Sequence, residues 1–300
     1  MLFRSVSLQD FSWKTSISFA TNKNTVKEIK PYINTDGVLV DDQIITQSNQ
    51  DAYQSQIRVG GSIGDLYTNA FTYVDAAGNI NTDGNGRLRL DANNKPIKTA
   101  STTADYKYVG KQNPDFTLGW NNNFKYKRWS MGFLINGTFG GVTMSWNDAY
   151  NDYMGVSKRT ADARDKNNGM IRFEDVLGVK EGIYENKEDP SKTRILEEVS
   201  AETWFTGIGD RNGVLEHYVY NRTNVRFTQF SLNYDLPVRA WNLPLRSASV
   251  GITGQNLFFL YRVASYDPEL TMNAVGGTQV LDNFNLPSTR TLGFNTKVNF

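Results

Sequence analysis

A few residue groups in this chain have types and spacings that could do chemistry. Asn79, Asn81, Asp83 and Gly84, in the run N-I-N-T-D-G, resemble the opening of a calcium-binding loop. Such a loop closes on a bidentate Glu at its twelfth position, where this chain has Leu90, and no flanking helices are read. A hairpin turn is the favoured reading. His217 is the only histidine and lies in H-Y-V-Y, with no defensible nucleophile–base–acid order around it. A structural role is expected. Glu174, Asp175, Glu181, Glu185, Glu188 and Asp189 sit among Lys, Gly and Asn, and nothing fixes the separation a glycosidase pair requires. They read as a solvated loop. Gly207–Gly213 (G-I-G-D-R-N-G) lacks the spacing and the βαβ setting of a dinucleotide fingerprint. Asn136-Gly137-Thr138 and Asn221-Arg222-Thr223 have the form of glycosylation acceptors, a form that means nothing if the protein is bacterial. With no cysteines, disulfides, thiolate metal sites and cysteine nucleophiles are excluded. The expected sets of catalytic, cofactor-binding and metal residues are all empty, and no enzyme is expected.

Asp267-Pro268-Glu269 is a different kind of signal. Proline holds its predecessor in extended geometry, so the tripeptide fixes a bend. Structural pinning is the main expectation, with ligand contact as the alternative. Trp204, Tyr218, Tyr220 and Tyr261 have rings that stack on sugars, and loop packing explains them equally well.

The elements that would position these groups are strands. From Thr289 the chain reads T-R-T-L-G-F-N-T-K-V-N-F, in which Leu292, Phe294, Thr296, Val298 and Phe300 alternate with Gly293, Asn295, Lys297 and Asn299. Period two puts each set on its own face. The same alternation runs through Phe11–Phe19, Phe116–Tyr126, Trp129–Phe139, Phe230–Leu236 and Ala248–Phe258. Strands of about 10–13 residues are long for a soluble sheet and match a tilted membrane crossing. The terminal segment alone fits a soluble sandwich as well as an outer-membrane barrel.

Connection lengths separate the two. Lys127-Arg128 is a tight turn, and about nine residues carrying Pro237 and Pro244 join the next pair, while roughly 61–115, 140–223 and 259–288 are long. Short and long links alternate, as when periplasmic turns and extracellular loops lie on opposite sides of a membrane. Trp146, Tyr150, Tyr153 and Met154 have helical spacing, so one short helix is expected near 145–164. Asp83-Gly84 and Asn85-Gly86 are hairpin-turn dipeptides.

The 300 residues carry a formal net charge of +1, which gives no reason to invoke nucleic acid. Seventeen Phe, fifteen Tyr and six Trp suit a protein whose apolar surface meets water. Mean hydropathy is −0.49, with no apolar run near the roughly 18 residues of a membrane helix. That leaves barrel strands open, since they hide from hydropathy windows. No signal-peptide pattern opens the chain.

Asn224–Pro237 (N-V-R-F-T-Q-F-S-L-N-Y-D-L-P), Gly254–Leu260 (G-Q-N-L-F-F-L), Ser265–Glu269 (S-Y-D-P-E) and Leu286–Phe294 (L-P-S-T-R-T-L-G-F), ending at Phe300, resemble the C-terminus of SusC/RagA-type TonB-linked outer-membrane proteins. Asn113–Lys127 (N-P-D-F-T-L-G-W-N-N-N-F-K-Y-K) and Phe11–Asn24 look like earlier hairpin segments of that family. The resemblance runs in order over nearly the whole chain. Loops 28–50 and 165–215 carry little of it.

The expected fold is therefore all-β: residues 1–300 as the C-terminal part of a large antiparallel transmembrane barrel with long extracellular loops. About seven strands are expected, or eight if residues 1–8 form one, with the plug and signal peptide lying outside this segment. The resemblance implies import of glycans or peptides across the outer membrane of a Gram-negative, Bacteroidota-like bacterium. It also implies a SusD-like surface lipoprotein as partner, with TonB acting through regions beyond this segment. Lipid is expected to meet Phe116, Leu118, Trp120, Trp129, Met131, Phe133, Ile135, Phe230, Leu232, Tyr234, Val250 and Ile252. Leu292, Phe294, Val298 and Phe300 are expected to form the closing strand read during barrel assembly. Two other readings stand beside it: a soluble or surface-attached β-rich carbohydrate-binding module, and a secreted β-rich hydrolase.

Overall fold

A computed structural model describes residues 2–33, 39–40, 44–50, 52–100, 105–241, 244–270 and 281–300. Its main element is a seven-stranded sheet. The strands are β1 (Leu2–Ser7), β2 (Phe11–Thr21), β3 (Phe116–Tyr126), β4 (Trp129–Phe139), β5 (Asn224–Asp235), β6 (Ser247–Arg262) and β7 (Thr291–Asn299). All pair antiparallel in chain order, each with its sequence neighbour, so the sheet is a meander. Leu2–Ser7 is one of the seven, so no eighth strand joins the sheet among the described residues.

The register aligns like with like. Val6, Trp13, Phe124, Met131, Leu232, Ile252 and Phe294 form one row across all seven strands. The next row is Ser5, Lys14, Asn123, Gly132, Ser231, Thr253 and Gly293, and it lies on the opposite face. Cross-strand rings reinforce the apolar side: Trp13 stacks on Phe124 at 5.8 Å, Phe116 on Phe139 at 4.7 Å and Phe227 on Phe258 at 5.3 Å.

Short links (8–10, 127–128 and 236–246) alternate with long ones (22–115, 140–223 and 263–290). Residues 271–280 of the last long link lie outside the described residues. In the two-residue turn Lys127 takes a positive φ of 52°, and its N–H is tied to the Asp10 carbonyl at 2.8 Å.

The long links are not independent loops. They share one buried core that includes Phe71, Leu88, Met144, Phe173, Trp204, Leu215, Tyr218 and Leu281. Residues 165–215, whose carboxylates from Glu174 to Asp189 read as a solvated loop, supply much of that core, with Trp204 stacking on Phe71 more than 100 positions away. The single helix expected near 145–164 is two: α1 (Trp146–Tyr153) and α2 (Lys158–Asp165). Gly155 takes φ +70° between them, and the Ser157 side chain restarts the helix by accepting from Thr160 N–H. Two further helices, α3 (Phe173–Leu177) and α4 (Ala201–Ile208), complete the cap. No described helix is long and apolar enough to cross a membrane, which says nothing of strands.

Trp204 is 1% exposed, stacks on Phe71 at 5.8 Å and lies 6.1 Å from Phe173. Trp204→Ala is expected to destabilise the cap by about 3–5 kcal/mol. Limited proteolysis should show faster cleavage within 140–223 while the sheet's amide protection stays unchanged.

Candidate functional site

The expected lipid-facing residues fall on one face of the sheet. Trp120 and Ile135 are cross-strand partners, as are Phe133 and Phe230, Trp129 and Tyr234, and Tyr234 and Val250. β4 and β5 keep this alignment past a bulge on β5, where Thr228 is the extra residue between Gln229, opposite Leu134, and Phe227, opposite Ile135; Leu134, the break in β4's alternation, lies on the polar face opposite Asn121. Leu292 and Phe294 lie opposite Gly254 and Ile252 on the same face, and both are more than 70% exposed. An exposed apolar sheet of this breadth requires a covering medium or partner.

Polar side chains interrupt it, and two of them serve the tryptophans: Asn122 Oδ1 accepts from Trp13 Nε1 at 3.1 Å, and Thr15 Oγ1 accepts from Trp120 Nε1 at 3.0 Å. Both of these tryptophan N–H groups find a partner within the sheet, so neither is left unpaired on the apolar face. Near the short-turn end Phe11, Tyr126, Trp129 and Tyr234 make an aromatic band, with Trp129 and Tyr234 rings 4.7 Å apart.

The opposite face is rich in amides and hydroxyls. Asn121, Asn123, Gln229, Ser231, Thr253 and Gln255 line a trough of about 160 Å³. It offers hydrogen bonds to a polar solute and holds no converging set of ionisable groups.

Asp267-Pro268-Glu269 ties the last long link to this face. Asp267 is buried and pairs with the Arg226 guanidinium on β5. Its Oδ1 also accepts from Glu269 N–H at 3.0 Å, and Thr138 Oγ1 on β4 donates to Glu269 Oε1 at 3.0 Å. Arg222 Nε donates to the Pro268 carbonyl at 3.2 Å, and Arg226 lies 4.3 Å over the Phe259 ring. Arg226, Arg222 and Thr138 were not singled out from sequence. The available signal was Arg226 itself, a cation inside a strand that otherwise carries neutral side chains up to Asp235.

In the cap, Asp148 Oδ2 accepts from Tyr220 Oη at 2.7 Å and from Ser265 Oγ at 2.5 Å, and Arg159 reaches Tyr220 Oη at 2.9 Å and Asp152 at 3.1 Å. Ser145 donates to Asp282 at 2.6 Å. This network joins α1, α2 and the last long link. Burial raises the pKa of Asp152 and Asp282 and holds the Tyr218, Tyr220 and Tyr266 phenols protonated. His217 sits edge-on to Trp204, Phe71 and Tyr218, and burial lowers its pKa to about 4. Trp204 and Tyr218 are core residues with no face free for a sugar, whereas Tyr261 is exposed.

The calcium-like run forms turns. Asp75–Asn79 joins the short strands Tyr73–Val74 and Ile80–Asn81, and Asp83 Oδ1 and Oδ2 accept from Asn85 N–H and Nδ2. Asp83–Gly86 then carries the chain across to the other edge of Tyr73–Val74 instead of closing a hairpin. A Cβ on Gly86 would stand 2.1 Å from the Val74 carbonyl oxygen, so only glycine fits. Among the described residues, no three His, Asp or Glu side chains converge on a point where a metal could sit. The six scattered carboxylates do not converge either: Glu181 pairs with Arg87 at 2.6 Å, and Asp189 accepts from Ser191 and pairs with Lys192.

No protein-family model matches the chain. TonB-dependent receptor P3 of Formosa agariphila is 26% identical over 316 residues, covering 98% of this chain and 27% of that protein. The RagAB peptide importer in its closed-closed state superposes with a TM-score of 0.56 at 13% identity, over 99% of this chain and 28% of that one. Its open-open state gives 0.56 at 12% identity. The chain resembles a SusC/RagA-type TonB-dependent receptor. The sequence likeness extends along nearly its whole length, and the all-β antiparallel fold is the one RagAB shows. The chain spans just over a quarter of the length of each of these relatives.

Asp267→Ala leaves the buried Arg226 charge with only the more distant Glu269 carboxylate, at 4.0 Å, so it is expected to cost about 3 kcal/mol. Asp267→Asn, which keeps an acceptor, should cost less. Hydrogen exchange over 263–270 reads both. For His217, the folded pKa lies below the unfolded value of 6.5, so the unfolded chain binds more protons between those limits. The stability this histidine contributes is present above pH 6.5 and is lost as pH falls toward 4, on the order of 3 kcal/mol in full. Asp152 and Asp282, with raised pKa, act in the opposite direction. The wild type should therefore lose its cap-stability advantage over His217→Phe across this window, as followed by denaturant unfolding at stepped pH.

Proposed function

We propose that this chain forms the C-terminal part of the barrel wall, residues 1–300, of an outer-membrane TonB-dependent nutrient importer in a Gram-negative bacterium. One observation carries the reading: a seven-strand register that sorts the side chains into a largely apolar and a largely polar face, with short and long links at opposite ends. In this reading the apolar face meets lipid, the short turns lie in the periplasm, and the cap is extracellular. The polar face lines the lumen, where its amides and hydroxyls give a wet path to a polar solute. β7 closes the barrel, presenting Leu292, Phe294, Val298 and Phe300 to lipid. Asp267-Pro268-Glu269 pins the last extracellular loop over the lumen.

A SusD-like surface lipoprotein is proposed as the partner on the cap side, with TonB engaged by parts of the receptor beyond this segment. The likeness to RagAB, named as a peptide importer, supports this arrangement. Peptides and glycans both suit the amide-rich lumen face. The chain's role is wall, lining and surface loops.

The faces can be tested in the intact receptor. Ile252→Arg, at the centre of the apolar face, should cost about 2–4 kcal/mol and lower the assembled fraction in outer membranes. Thr253→Arg, one residue along on the polar face, should leave assembly close to wild type. Equal losses, read by heat-modifiable gel mobility, would refute the assignment of faces.

A further inference from the structure

At the short-turn end the sheet carries a cleft of about 470 Å³. Four cationic side chains line it, Arg128, Arg239, Arg246 and Lys297, against one carboxylate, Asp235. Among the described residues none of the four cations forms an ion pair. Elsewhere in the chain Arg226 and Arg159 are matched by carboxylates within the fold. The cations of the cleft come from two different turns and from the last strand, so a local sequence run does not explain their meeting.

The register places this cleft. Asp235, Ser249 and Lys297 form one row across β5, β6 and β7. The adjoining row is Tyr234, Val250 and Thr296, on the apolar side. The cleft therefore opens on the polar face, away from the surface that Ile252 and Phe294 share. Val238 and Ala248 are buried at its base, and the turn backbone is held by Leu236 N–H to the Ala248 carbonyl at 2.8 Å and Arg246 N–H to the Asn299 carbonyl at 2.9 Å. The cations thus stand on a fixed floor.

We propose that this cleft docks an acidic polypeptide segment against the inside of the wall at its short-turn mouth. Guanidinium groups take carboxylates bidentately, and three arginines with a lysine at fixed spacing suit several carboxylates carried on one chain. A lipid headgroup is the other anionic candidate, and it would approach from the apolar face, where the cleft does not open. The proposal rests on the reading of the polar face as the lumen.

The test uses the intact receptor assembled in its outer membrane. Ser249→p-benzoylphenylalanine places a photo-crosslinker inside the cleft, and mass spectrometry identifies the adduct. The expected adduct is a peptide of net negative charge. Its yield should fall by about tenfold when Arg239→Glu and Arg246→Glu are combined, two lost ion pairs with added repulsion. Gel mobility confirms that the variant has assembled; if it has not, Arg239→Gln with Arg246→Gln should give a smaller fall in the same direction. A neutral or basic peptide, a yield indifferent to charge reversal, or no adduct in an assembled barrel would overturn the docking and leave the wall assignment standing. A phospholipid adduct would overturn both, because Ser249 would then face lipid.

Discussion

Cross-strand register is the interaction on which the rest of this structure depends. A strand in hydrocarbon has no water to satisfy its backbone, so each N–H and C=O must find the neighbouring strand. Seven strands in sequential antiparallel order do this, with the shorter connections all on one side. Because the side-chain period is two, the same ladder fixes both surfaces at once: a slip of one residue would put Lys14, Asn123 and Thr253 where Trp13, Phe124 and Ile252 now stand. The bulge at Leu134/Ile135 shows how tightly this is held. The pairing absorbs the extra Thr228 on β5 and returns Phe227 to the apolar face opposite Ile135.

The long links follow from the same ladder. Their ends are delivered side by side by neighbouring strands, and together the links bury a core that none could build alone. Trp204 from one link stacks on Phe71 from another, and Leu281 from the third joins the same cluster. Polar contacts then fasten cap to wall: the Asp148–Tyr220–Ser265 bonds draw the last link to α1, and the Arg226–Asp267 pair fixes it to β5. A buried ion pair of this kind contributes little net stability, yet it fixes which arrangement forms, because breaking one side strands the other charge.

Charge is distributed along the strand axis. Near the cap end, cations on the wall are matched by carboxylates within the chain, as Arg226 is by Asp267. Near the short turns, Arg128, Arg239, Arg246 and Lys297 face a single Asp235. Over the whole chain these balance to a formal charge of +1, so composition conceals the asymmetry.

The alternation of Leu292, Phe294, Val298 and Phe300 against Gly293, Asn295 and Lys297 is local, and the sequence alone determined the strands, their two faces and the rhythm of short and long links. The terminal motifs likewise pointed to the SusC/RagA-type fold. Three things were decided only by tertiary structure. The carboxylates from Glu174 to Asp189 look like a solvated loop, yet they lie in a link whose Phe173, Val199 and Trp204 are buried by partners far away in sequence; only the helical spacing of Ala201, Trp204, Phe205 and Ile208 was a local sign of it. The helix near 145–164 breaks in two because Gly155 can take a left-handed conformation and Ser157 can cap a new start. The meeting of Arg226 with Asp267, 41 residues apart, depends on where β5 and the last link come together. Period and turn chemistry are short-range and can be read along the chain. Burial and charge pairing depend on which strands become neighbours, and only the folded ladder sets that.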